Sequence, residues 1–187
     1  MTNPITDAEV DAIDANLEPE RRIQSLIHLW LKFYFSGSPF QTKGSTGASV
    51  SYTFVPCEFT YNTDALPRQT NASKPVIHIF TAFRDTKRAD YTEDAVGHDD
   101  DWTILLMPKV RTGSVRADGD KDTDPDRLCR KVSDQLVWLL CSCEREALYA
   151  HGLHNVHMQG GPALANTGAW VARTMTLNVR TRRENAR

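Results

Sequence analysis

Three stretches of this 187-residue chain hold residue types that metal, phosphate or nucleophilic chemistry uses. Cys141, Cys143, His151, His154 and His157 supply thiolates and imidazoles, the ligand types zinc takes. Their spacing works against them as a set. Residues two apart on a helix point ~200° away from each other, so Cys141 and Cys143 cannot chelate together without unwinding. The three histidines straddle an expected helix stop at Gly152, which leaves their spacing without fixed geometry. The run His98-Asp99-Asp100-Asp101 could hold a hard cation through its oxygens, but it lacks the Gly turn and distal Glu of an EF-hand loop. A solvated loop tip is the expectation for it, and a small metal-dependent hydrolase using His98, Asp99 and Asp101 is the enzyme reading it leaves open.

Residues 37–45 superficially suggest a phosphate loop. The order there is Lys43-Gly44-Ser45, whereas a P-loop needs Gly-Lys-Ser/Thr after a buried strand. No Gly-x-Ser-x-Gly elbow occurs, and none of the four cysteines sits in a recognisable catalytic context. Trp30, Trp102, Trp138 and Trp170 fall inside periodic elements, where they read as core or interface anchors rather than stacking platforms. The basic end of the chain lacks interleaved aromatics, which gives single-strand binding little support. The chain is therefore read as non-enzymatic, with no metal or cofactor assigned.

The elements that would position any site follow from periodicity. Thr6 and Glu9 form a capping-box pattern for a first helix carrying Val10, Ile13 and Leu17 on one face. Pro19 suits the first turn of a second helix, whose Ile23, Leu26, Ile27, Trp30, Leu31 and Tyr34 make a wide apolar stripe. Residues 36–49, rich in Gly, Ser and Thr, read as a flexible loop. Alternation at Val50, Tyr52 and Phe54, then Phe59 and Tyr61, predicts a strand or hairpin. Residues 76–83 and 102–107 are strands, the second running to Pro108 or on to Arg111. Between them, residues 84–101 carry seven acidic and three basic side chains and are expected to form a charged loop. Residues 112–123 are expected to form another.

Asp124 caps a long helix over about 125–150 with Pro125 in its first turn and Gly152 in the left-handed position beyond its end. A hairpin follows, from roughly 153–158 to 170–180. In its last strand Val171, Met175, Leu177 and Val179 share a face that only Arg173 breaks. The fold class is therefore α+β: a mixed, mostly antiparallel sheet, an N-terminal helix and a long helix packed on it, and the final strand at the C-terminus.

A single domain fits the length. The net charge of −2 argues against a polycation that coats nucleic acid. Residues 1–20 are acidic and the last fifteen basic, a polarity that suits head-to-tail contacts between copies, although solvated tails are the commoner reason for such ends. No apolar run approaches the ~20 residues of a membrane helix. The start of the chain lacks the apolar segment of a signal peptide, so a cytoplasm-made protein with reduced cysteines is expected.

The order of these elements, closing with Gly168-Ala169-Trp170-Val171-Ala172-Arg173-Thr174-Met175-Thr176-Leu177-Asn178-Val179, resembles that of a tail terminator protein of a long-tailed bacteriophage. The resemblance covers most of residues 75–180 and, loosely, the first helix. Residues 36–74 then read as an insertion, and the loops 84–101 and 112–123 are longer than in compact versions. What it implies is a virion structural protein that assembles as a hexameric ring on the finished tail tube, stops tube polymerisation and presents a face to the head–tail connector. DNA would pass through such a ring without sequence-specific recognition. Another neck protein sharing the ring is the alternative within this reading. The partner contacts expected under it are Arg84, Asp99, Asp100, Asp101, Arg111 and Arg116 in the two charged loops.

Overall fold

The computed structural model describes residues 4–13, 18–43, 47–61, 74–92, 95–111, 124–164 and 170–184. Two amphipathic helices supply one layer of the core. Helix α2 (Pro19–Tyr34) buries Ile23, Leu26, Ile27, Trp30, Leu31 and Tyr34, and α3 (Pro125–Cys141) buries Leu128, Val132, Leu136, Leu139 and Leu140. Both begin with proline where its missing N–H costs least, and the Asp124 carboxylate caps α3 by accepting from the Asp126 N–H at 3.0 Å. The short α1 (Asp7–Asp11) has the reciprocal Thr6–Glu9 capping box and stops at Asp11, with Leu17 outside the described residues.

The helices pack on one face of a five-stranded sheet of order β3-β4-β5-β7-β6. Its strands are β3 (Glu58–Tyr61), β4 (Val76–Thr92), β5 (Ala95–Arg111), β6 (Leu153–Leu164) and β7 (Trp170–Glu184). All neighbours are antiparallel except β3 and β4. Alternation sets the face: Ile77, Ile79 and Thr81 of β4, Trp102, Ile104 and Leu106 of β5, and Met175, Leu177 and Val179 of β7 are all buried beneath the helices. The α+β class read from the sequence is the class of the fold.

Three expectations need correction. The segment 84–101 is not a loop. Strands β4 and β5 run straight through it as a hairpin, paired from Val76↔Lys109 out to Thr92↔Ala95. The segment 36–49 is not simply a flexible loop either: β1 (Phe40–Lys43) pairs antiparallel with β2 (Ser49–Tyr52), and Phe40 is buried among Tyr34, Phe54 and Trp138. The long helix does not reach 150. It ends at Cys141, turns through a 3-10 segment (Cys143–Arg145) and resumes as α4 (Glu146–Tyr149).

The break has a local cause. Ser142 is extended (φ −84°, ψ 171°), its hydroxyl donates to the Leu139 carbonyl at 2.8 Å, and its oxygen accepts from the Glu144 N–H at 3.3 Å. That competition with the backbone is what short hydroxyl side chains offer. The turn delivers Glu144 into the core, where its carboxylate accepts from Tyr34 Oη and Thr42 Oγ1, each at 2.6 Å. The Trp30 Nε1–H donates to the Glu144 carbonyl at 3.2 Å. Gly152, at φ +84°, takes the left-handed position that only glycine adopts without strain, as the chain turns into β6.

Pro108 occupies a central strand, where a missing N–H would cost a ladder bond. The β5–β7 ladder lapses there, passing from Leu106↔Met175 to Lys109↔Ala172. Across that gap Arg173 leaves the apolar face of β7 and reaches the start of α3, pairing with Asp126 at 3.3 Å. A cation on the apolar face is thus partnered, and it meets a carboxylate in the helix's first turn.

Candidate partner-contact surface

The six residues expected to meet partners are distributed by strand geometry. Asp99 and Asp101 project from β5 directly opposite Arg182 and Arg180 of β7. Arg180 grips Asp101 with two bonds, Nε to Oδ1 at 2.7 Å and Nη2 to Oδ2 at 3.3 Å, and lies 3.7 Å from Asp99. Arg182 lies 3.9 Å from Asp99. Both signs are therefore largely matched across the ladder, and the two carboxylates are only 16% and 20% exposed.

Asp100 points the other way. It is fully buried on the helix side, with Oδ1 accepting from Thr86 Oγ1 at 2.7 Å, beside a cavity of about 260 Å³ lined by Pro19 and Arg22 of α2, His151 and Thr181. It cannot be a partner contact, because strand alternation places it inside. The same alternation separates His98 from Asp99 and Asp101, so the residues of the hydrolase reading do not converge. Among the described residues no group of three His, Cys, Asp or Glu side chains is placed to hold a metal ion. His157, one of the earlier candidates, instead donates from Nδ1 to the Asn155 carbonyl at 2.7 Å and meets the Asn178 amide at Nε2, at 3.3 Å.

Arg84 is exposed at the irregularity between Phe83 and Asp85. It lines a cleft of about 430 Å³ together with Asp101, Arg145, Tyr149, Asn178 and Arg180. Arg111 ends β5 opposite Trp170, ten residues from Asp101 and hence about 33 Å of strand away. Arg116 and the loop 112–123 lie outside the described residues. The structure thus brings together Arg84, Asp99 and Asp101, adds Arg180 and Arg182, and excludes Asp100 and Arg111 from that group.

Beside this charged row, the sheet face turned away from the helices carries Phe80, 43% exposed, with Leu105, Met107, Thr103, Thr174 and Thr176 partly exposed. Thr60, Val76 and Ala172 are the buried exceptions among the described residues. One face of a twisted sheet is thereby packed, and no described helix packs on the middle of the other. Beyond β3, whose pairing ends at Ile79, β4 continues for thirteen residues along one margin of the arm.

His28 sits between α2 and the sheet edge. It packs against the Phe59 and Tyr61 rings and shares a hydrogen bond with the Tyr61 hydroxyl through Nδ1. Burial, with Lys32 adding to it, holds the imidazole below its ordinary pKa. Burial also pushes the Cys129 thiol up to about 11 and, with the Glu144 carboxylate, raises the Tyr34 phenol far above its ordinary value. Sequence reading left Glu144 unremarked; a lone Glu within a helical pattern gives no sign that three core residues will converge on it.

No protein-family model matches the chain, and no curated protein matches it at a significant level. No helix among the described residues is long and apolar enough to cross a membrane.

Proposed function

We propose that this chain is a virion structural protein that closes into a ring with copies of itself, caps a phage tail tube, and joins the tail to the head connector. The observation that carries the reading is the half-covered sheet. Helices seal one face, while the other presents Phe80, Leu105 and Met107 beside a long hairpin arm. A single-copy binder does not need so much unpacked strand surface, whereas a heterologous ring interface consumes it on every copy. The order of elements that resembles tail terminators points the same way. The arm 84–101 and the segment 112–123 are the proposed contacts with tube or connector.

Native mass spectrometry and negative-stain imaging of the full chain, alone and with tail tubes, test this. Six-fold rings that seat on tube ends and stop tube growth are expected. A strict monomer at high concentration that ignores tube ends overturns the proposal, and rings that leave tube growth unchanged turn it toward another neck protein. Deleting residues 112–118 while capping persists removes that segment from the contact surface.

A further inference from the structure

A second surface is independent of the ring. Along α3, Arg127, Arg130, Lys131, Asp134 and Trp138 recur at helical spacing and share one side of a groove. Its other wall is β2 and the segment after it, with Tyr52 38% exposed over a nearly buried Phe54. The groove measures about 530 Å³, within the range of small-molecule sites. Among the residues that line it, Arg127, Arg130 and Lys131 stand beside one carboxylate, Asp134. Arg130 is held only by an exposed pair with Asp126 at 3.3 Å, which costs little to rearrange. At the far end Tyr52 and Trp138 lie 5.2 Å apart between ring centroids, tilted by 44°, with part of each ring open to solvent. Seven residues of helix separate Lys131 from Trp138, about 10 Å.

We propose that this groove binds nucleotide units, with a base against Tyr52 and Trp138 and phosphate on Arg127, Arg130 and Lys131. Cationic rims with aromatic floors recognise this chemistry because every base has a stackable face and every phosphate a charge. An acidic peptide would use the rim but leave the aromatic floor idle. The chemistry can come from a free nucleotide or from a single strand. Trp138 packs against Phe40, Tyr52 and Phe54, the anchoring expected of it, and the exposed part of its indole also borders the groove.

The test titrates the full chain, in low salt, with thymidine monophosphate, a ten-residue oligothymidylate and a ten-residue oligoglutamate, following tryptophan fluorescence. Quenching by either thymidine probe is expected. Quenching by the monophosphate alone identifies a free-nucleotide site, and tighter binding of the oligomer identifies a strand. Tyr52→Ala weakens binding about tenfold, the loss of one stacked base. Lys131→Ala lowers the slope of log affinity against log salt by about 0.7. Arg84→Ala, in the arm, changes neither and serves as the control; circular dichroism confirms that each variant folds. The proposal is overturned if no thymidine probe quenches, if oligoglutamate binds as tightly as oligothymidylate, or if Tyr52→Ala and Arg84→Ala behave alike. None of these outcomes depends on ring formation.

Discussion

Replacing Glu144 by alanine tests whether the fold closes where the helix break occurs. The Glu144 carboxylate accepts two bonds of 2.6 Å, from Tyr34 Oη and Thr42 Oγ1, and these donors are 1% and 6% exposed. Removing the acceptor strands both hydroxyls in the core. Each unmatched group costs ~1–3 kcal/mol, so Glu144→Ala is expected to lose about 4 kcal/mol. For a chain of this size that lowers Tm by roughly 8–16 °C. Glu144→Gln keeps the shape, with its carbonyl accepting from one hydroxyl and its amide donating to the other, and costs about 1 kcal/mol. Tyr34→Phe removes one donor, and in the double variant Tyr34→Phe/Glu144→Ala the losses overlap, so the sum falls short of additivity by about 1 kcal/mol. Urea denaturation at fixed protein concentration reads all four. A Glu144→Ala loss under about 1 kcal/mol, or strictly additive losses in the double variant, would refute the closure by Glu144.

Three further outcomes follow from burial and pairing. His28 has a lowered pKa in the fold, so its contribution is fully present above the unfolded value of 6.5 and is lost as pH falls through it. His28→Phe should therefore flatten the fall in unfolding free energy, read from urea denaturation, as pH drops from 6.5 to 5.5; an unchanged slope contradicts the assignment. Among the cysteines, the exposed Cys141 and Cys143 should react with a thiol reagent at pH 8 within minutes, while Cys129, its thiol pushed up to about 11, reacts only on unfolding; rapid labelling of Cys129, mapped by mass spectrometry, refutes its burial. Asp101→Lys sets a like charge directly opposite Arg180 and should raise hydrogen exchange across residues 97–101 and 180–184, at a cost of about 1 kcal/mol. Unchanged protection there means the pair does not hold the ladder.

The helices were legible because burial there follows periodicity. The stripes of α2 and α3, the prolines at their first turns, the Thr6–Glu9 box and the left-handed Gly152 all stand in the structure where the residues place them. The same holds for the inner halves of β4, β5 and β7, whose alternating apolar residues specify one face. What failed has a common origin. Beyond Trp102 both faces of β5 carry aspartates, so alternation vanishes; the segment is a strand because β7, about 80 residues later, supplies Arg180 and Arg182 opposite them. The helix pattern past Cys141 continues through Leu148, which is fully buried, and hides the two hydrogen bonds of Ser142 that break it. The parallel pairing of β3 with β4 left no local sign at all, since it depends on where the intervening chain returns.

The two surfaces differ in how they should respond to salt. At the root of the arm, Asp99 and Asp101 face Arg182 and Arg180 within 4 Å, so opposing charges cancel at short range and little net field reaches a partner. Energy for a contact on that side has to come from the apolar middle of the open face, at ~25 cal/mol for each Å² buried, a contribution that added salt does not screen. The groove along α3 is the reverse: among its lining residues three cations stand beside one carboxylate, and affinity for a phosphate held by them falls as salt rises. Raising salt should therefore release a nucleotide probe from the groove while leaving the proposed association between copies intact. Rings that fall apart at the same salt as the probe leaves would place the charged row, rather than Phe80, Leu105 and Met107, at the contact between copies.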